Sequence, residues 1–318
     1  MRHKWIRLSG VLLALGLMFC CGAIFAAEDV VELESWIAHA ADGFAGGTGT
    51  EDDPYLIATA EQLAYLAKTV NKGSDYKDKY LKLQQDIDLA RYDWVAIGTR
   101  SDNSFGKAPH ARGNLVFRGV FDGNNKVIRN LTTKMPYIES GLFGYLAFGE
   151  VKNLAIININ IQSCFIGGGI AAQAGFGARI KNCYVDGNIK GFWTLGGIVG
   201  YTFWIDIYDC MAKVVICFDI RSMPSKIALY QEKFHKYPLS MTTDVNLWQA
   251  SGGIVGYVAN LSVSSRIENC IVAWSICGGE ERWNNPIASK EGGADLTIIN
   301  CEIIKDIHVN KNCRRDNL

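Results

Sequence analysis

The sequence predicts an all-β protein, a parallel β-helix closed at its N-terminal end by an α/β capping segment. Three observations lead there: a glycine motif that recurs at a near-constant interval, a second motif that follows it in phase, and short β-branched strands between them without helical periodicity.

The first motif is Gly196-Gly197-Ile198-Val199-Gly200-Tyr201, repeated as Gly252-Gly253-Ile254-Val255-Gly256-Tyr257. Shorter copies are Gly141-Leu142-Phe143-Gly144-Tyr145 and Gly168-Gly169-Ile170-Ala171. The interval is about 28 residues between Gly141, Gly169 and Gly197, then about twice that to Gly253, which suits stacked units of one supersecondary size. The second motif is Ile180-Lys181-Asn182-Cys183, with copies ending at Cys210, Cys270 and Cys301. The run Ile157-Asn158-Ile159-Asn160-Ile161 alternates with the period of a half-buried strand, which predicts Ile157, Ile159 and Ile161 facing inward. Asn-Gly and Asp-Gly hairpin signals are few, which disfavours a sandwich or propeller.

Taken in chain order, residues 1–27 read as a signal peptide, with Arg2, His3, Lys4 and Arg7 before an apolar run from Val11 to Phe25 and small Ala26 and Ala27 at its end. Ile24 or Phe25 would lie where a small residue is preferred, so an uncleaved anchor is the alternative. Cys20 and Cys21 suggest lipid attachment less well, because Phe19 is bulky. Residues 28–45 are expected to be a linker and 46–100 a cap. In that cap Thr59 and Gln62 open a helix, Leu63, Leu66, Ala67 and Val70 give it an apolar stripe, and Gly73 ends it. The helix is expected to cover the first coil, since an open solenoid end exposes sheet edges.

Residues 101–318 are expected to hold the coils, interrupted by an insertion loop at 222–250 rich in aromatic side chains. Stacked coils set like residues above one another, about 4.8 Å apart. Cys183, Cys210, Cys270 and Cys301 are therefore expected to form an inward column, and Asn182, Asp209, Asn269 and Asn300 a column at a turn. That spacing favours thiols over disulfides, which need closer Cβ atoms. Glycine pairs are expected where a Cβ would clash. No comparable C-terminal cap is legible, and Arg314, Arg315 and Asp316 are candidate blocking charges.

With 318 residues, 49% of them hydrophobic and 20% charged, the chain can bury a real core. Lys+Arg and Asp+Glu both number 32, so no net field draws nucleic acid or an anionic membrane. No apolar run after the first segment is long enough to span a bilayer, so no membrane span is expected once the signal peptide is removed. The five histidines, His3, His39, His110, His235 and His308, do not make a zinc-protease pair, the cysteines make no close pair, and neither a metal nor a cofactor is implied.

Asp86, Asp88 and Asp122 with Arg118 are the candidates for an acidic catalytic cluster, of the kind carbohydrate-active β-helices gather on one sheet. The competing reading places them in turns, which Asp, Gly and Asn suit. Trp193, Phe203, Trp204, Trp248, Trp274 and Trp283 could stack on sugar rings or pack the core. Tyr237 and Trp248, both in the insertion, are the candidate ligand-binding residues, because insertions leave a solenoid as loops on one face.

These segments, together with Asp53-Pro54-Tyr55-Leu56-Ile57, Trp94-Val95-Ala96-Ile97-Gly98 and Phe117-Arg118-Gly119-Val120-Phe121-Asp122-Gly123-Asn124, resemble the GLUG-motif family of bacterial surface proteins. The resemblance covers most of the chain after residue 27. It implies a right-handed β-helix on secreted or cell-surface proteins, commonly as a module of adhesins and sometimes beside an immunoglobulin-A-cleaving metalloprotease. The expected function is a non-enzymatic exported adhesion or binding module for a host or bacterial surface glycan or protein. A polysaccharide lyase or hydrolase using the acidic cluster is the alternative, and a ligand-free structural spacer the third reading.

Overall fold

The computed structural model describes residues 34–98, 115–218, 250–259, 263–277, 284–290 and 293–304. Residues 1–33, which hold the expected signal peptide, lie outside the described residues. So do Tyr237 and Trp248 and all of the expected insertion except Ala250, which already opens a strand.

The described chain is the parallel β-solenoid that the repeat implies. One ladder of parallel strands runs Tyr55, Leu81, Phe121, Val151, Ile180, Ile207, Ile267 and Ile298. A second runs Ile87, Ile128, Ile156, Val185, Ala212, Val272 and Ile303. A third sets Phe143, Ala171, Val199, Val255 and Ala288 above one another, and these carry the glycine motif. From Phe121 to Ile267 the first of these columns is wholly buried, and each such side chain contributes roughly 1.5–3 kcal/mol of apolar burial.

The helix α1 (Ala60–Val70) starts as expected: Thr59 Oγ1 accepts the Gln62 N–H at 3.3 Å, and Gln62 Oε1 accepts the Ala58 N–H at 2.8 Å. It buries Leu63, Leu66, Ala67 and Val70 in one cluster with Leu81, Leu89 and Trp94 of the first coil. Asn71 just beyond it ties cap to coil, donating to the Ala96 carbonyl at 3.0 Å and accepting the Gly98 N–H at 2.9 Å.

The structure carries folded chain across two of the expected boundaries. The stretch read as a linker at 28–45 is folded from Glu34 onward: Trp36 is buried and its Nε1–H donates to the Leu89 carbonyl at 3.1 Å, so an indole holds this segment to the cap. The expected α/β cap at 46–100 holds strands that run in register with the coils, since Tyr55 and Leu81 line up with Phe121. Both follow from sheet pairing at long range, which local patterning does not carry.

Ile157 departs from the expected alternation. Ile156, Ile159 and Ile161 are buried, whereas Ile157 is only half-buried, because Asn158 at φ +54° turns the chain and resets the alternation.

The turn column is as expected. Asn153, Asn182, Asp209, Asn269 and Asn300 all have φ between +50° and +54°, the left-handed region that Asn and Asp tolerate. Their side chains form rungs: Asn182 Nδ2 donates to Asn153 Oδ1 at 2.9 Å, and Asn269 Nδ2 to Asp209 Oδ1 at 3.2 Å. The glycine pairs serve close approach and not a special φ. A Cβ on Gly196 would lie 1.9 Å from the Val199 oxygen and 2.5 Å from the Gly256 nitrogen, both backbone atoms.

Cys183, Cys210 and Cys270 are buried free thiols and Cys301, half-buried, ends their column. Each sulfur lies within hydrogen-bond reach of the carbonyl two residues earlier, at 3.1 Å for Cys210 to Tyr208. Burial pushes the Cys210 thiol well above the ordinary range, and the hydrogen bond with Cys210 followed by burial does the same for Cys270.

Arg314, Arg315 and Asp316 lie outside the described residues. In the last described coil Ile298, Ile303 and Ile304 are 44%, 41% and 40% exposed, although Ile298 and Ile303 continue core columns. Among the described residues no helix is long and apolar enough to cross a membrane.

Candidate functional site

The acidic candidates are held in turns. Asp88 Oδ1 accepts the Ala90 N–H at 2.9 Å and the Asn130 amide at 2.8 Å, and these two contacts, the amide first, hold its carboxyl below the usual carboxylate range. Such a group stays ionised and is a poor proton donor near neutral pH. Asp86 accepts the Val127 N–H at 2.9 Å and is paired with Arg129. Asp122 accepts the Asn124 N–H at 2.7 Å and the Asn153 amide at 3.1 Å, closing one coil turn and linking it to the next. Arg118 pairs with Asp75 at 3.3 Å. Each carboxylate thus has work within the fold. Among the described residues no group of three His, Cys, Asp or Glu side chains is placed to hold a metal ion.

The aromatic candidates divide. Phe203 is 4% exposed, Trp274 packs half-buried against the main core, and Trp193 meets Phe165 edge-on at 6.0 Å between ring centroids. Trp248 and Trp283 lie outside the described residues. Trp204 alone of the described candidates is exposed, at 43%.

Trp204 does not stand by itself. Between the glycine-motif strand and the next strand, each coil turns a corner, and in three successive coils the corner residue is Phe148, Phe176 and Trp204. Their φ values are +59°, +57° and +59°. This conformation is unfavourable for bulky side chains and costs on the order of 1–3 kcal/mol at each. At the opposite corner the same backbone demand is met by asparagine, which tolerates it.

The rings are ordered by their neighbours. Phe148 and Phe176 stack with centroids 5.3 Å apart and planes at 21°. Phe203 supports Phe176 from beneath, edge-on at 4.6 Å. The Arg118 guanidinium lies over Phe148 at 4.9 Å from the ring centroid, a cation–π contact at the end of the stack. The six-membered ring of Trp204 lies against Gly177, where even a Cβ would touch Cε2 and Cζ2 at 3.5 Å. Phe148 is 42% exposed and Trp204 43%, so the strip is open at the outside.

The next strand begins beside this strip with Glu150, Arg179, Asp206 and Arg266 stacked in register. Arg179 meets Glu150 at 3.0 Å, Lys152 meets Glu150 at 3.4 Å and Arg266 meets Glu268 at 2.6 Å. The flank is polar and self-neutralising.

Sequence reasoning singled out Trp204 and missed Phe148 and Phe176. A signal was present: the three lie 28 residues apart (176 − 148 and 204 − 176), the interval of the glycine motif.

No family model matches the chain. Among curated proteins it is similar to "Halomucin" of Haloquadratum walsbyi, 29% identical over 156 residues, and to a "Putative Gly-rich membrane protein" of Evansella cellulosilytica, 31% identical over 141 residues. These matches cover 48% and 36% of this chain but only 2% and 15% of those proteins. Among solved structures it is similar to the crystal structure of a "putative immunoglobulin A1 protease from Bacteroides ovatus", with TM-score 0.56, 20% identity, and coverage of 83% of this chain and 79% of that one. At that identity the likeness concerns the β-helix fold.

Proposed function

We propose that this chain is an exported, non-enzymatic β-helix binding module that works at a cell surface, of the GLUG-motif type its segments resemble. The observation that carries the reading is the corner of Phe148, Phe176 and Trp204: three aromatic residues in register, each in a backbone conformation unfavourable to it, two of them open to solvent. Strain of that kind is held only where the surrounding structure imposes it, and it clusters at functional sites. The turn contacts of Asp86, Asp88 and Asp122 support the non-enzymatic part, because each carboxylate is already engaged by the fold. The similarity to halomucin and to a Gly-rich membrane protein supports placement at a cell surface.

The test is saturable binding of the fluorescently labelled full chain to whole bacterial and epithelial cells, read by flow cytometry beside a reducing-sugar release assay on soluble polysaccharides. Saturable binding without release is expected. Sugar release that Asp122→Asn abolishes would replace this reading with that of a carbohydrate-active enzyme, and absence of saturable binding would leave a structural spacer.

A further inference from the structure

We infer that the aromatic corner binds a neutral pyranose glycan laid along the solenoid axis, with Trp204 as its stacking platform. The inference rests on the binding-module reading and adds the ligand's chemistry and direction. Three observations carry it.

The first is the platform. The Trp204 ring lies beside Gly177, which presents no side chain to it, and 43% of the residue is exposed, which leaves ring surface to a partner. An aromatic face is electron-rich, and the partner that suits it is a surface of polarised C–H bonds, such as the apolar face of a sugar ring. A long aliphatic partner would be expected to meet a wider apolar surround, whereas here the adjoining row is Glu150, Arg179, Asp206 and Arg266, groups that hydrogen-bond hydroxyls.

The second is direction and length. Coils lie about 4.8 Å apart, so Phe148 and Trp204, two coils apart, are separated by roughly 10 Å along the axis, about the length of a disaccharide. Phe176, stacked on Phe148, occupies the same corner in the coil between them, so each of three successive coils sets one aromatic side chain along the axis.

The third is charge. Arg118 is paired with Asp75, Glu150 with both Lys152 and Arg179, and Arg266 with Glu268, while Asp206 stands in the same row between Arg179 and Arg266, which makes four cations and four anions. Cations and anions beside the corner cancel, so a polyanion such as a uronate polymer gains no net attraction, and a neutral chain loses nothing.

The experiment is affinity electrophoresis of the full chain in native gels containing neutral soluble polysaccharides (hydroxyethylcellulose, mixed-linkage glucan, galactomannan), beside polygalacturonate and alginate. At least one neutral polymer is expected to retard the protein. Trp204→Ala should weaken that association about fivefold, the scale of one lost aromatic contact, with Trp204→Phe recovering part of it and far-UV circular dichroism unchanged. Retardation should persist when NaCl is raised to about 0.5 M, since exposed charge interactions are screened there. Retardation by the anionic polymers alone, by none of the neutral ones, or equally for Trp204→Ala and wild type would overturn the inference. Those results with Trp204-independent cell binding would leave the binding-module reading standing, whereas loss of cell binding altogether would remove that reading too.

Discussion

Replacing Asn182 separates the two physical reasons for an asparagine column. The residue has φ +51° and its Nδ2 donates to Asn153 Oδ1 at 2.9 Å, on the surface. Alanine loses the side-chain rung, worth about 0.5–1 kcal/mol for an exposed hydrogen bond, and meets a left-handed penalty of roughly 1–2 kcal/mol that asparagine largely escapes. Asn182→Ala should therefore destabilise by about 2 kcal/mol. Glycine also loses the rung but adopts positive φ freely, at the expense of a more flexible unfolded chain, so Asn182→Gly should lose only about 1 kcal/mol. In a domain of this size 1 kcal/mol moves Tm by roughly 2–4 °C. Thermal melts followed by circular dichroism should thus rank wild type above glycine above alanine, with the alanine variant lower by about 4–8 °C. Equal melting of the two variants, or alanine above glycine, would refute the left-handed corner. A loss confined to glycine would show that chain entropy alone is at stake.

Gly196→Ala should abolish or severely weaken folding, because the new Cβ would meet backbone atoms at 1.9 and 2.5 Å with no flexible side chain to yield, whereas Gly43→Ala, with nothing within 4 Å, should melt within about 2 °C of wild type. The raised thiols of Cys210 and Cys270 predict a pH dependence: unfolded thiols lose their protons above about pH 8.5 while these stay protonated, so stability is full below that pH and falls as pH rises beyond it. Urea midpoints between pH 8 and 10 should drop, by up to about 1.4 kcal/mol per unit for each thiol, and Cys210→Ala with Cys270→Ala should flatten the curve. Ile267 is wholly buried and Ile298, one coil on in the same column, is 44% exposed. Ile267→Asn should then cost about 3 kcal/mol or more, against less than about 1 kcal/mol for Ile298→Asn, measured by urea denaturation.

Much of the fold was legible because stacking repeats a chemical requirement at every coil. Asn182, Asp209, Asn269 and Asn300 answer the same backbone angle, and Cys183, Cys210 and Cys270 the same narrow space, so residue type and interval coincide. The helix was legible for a different reason, since Thr59 and Gln62 act on bonds next to them in the chain. What stayed hidden depended on distant partners. Trp36 looked like linker because its carbonyl partner, Leu89, is 53 residues away. Ile157 looked inward because a strict period of two has no room for the turn at Asn158.

The candidate site was hidden by a subtler effect. At the asparagine corner the required conformation selects a residue type, so the column announces itself in the sequence and says only that a turn is there. At Phe148, Phe176 and Trp204 the same conformation opposes the residues that occupy it, and their type changes from phenylalanine to tryptophan, so a search for repeated identity passes over them. Their interval remains, and it marks them as part of the architecture; their mismatch with the backbone separates them from it. In a solenoid, function is therefore better sought where the period is kept and the local preference is broken than in an interruption such as the 222–250 insertion alone. The comparison that decides this is Phe148→Asn against Trp204→Asn. Both relieve a left-handed aromatic, so both should hold or raise Tm, by about 2–4 °C per kcal/mol of strain released. Cell binding should fall in step with the aromatic surface removed. Variants that melt higher and bind unchanged would mean that the corner's aromatics serve only packing.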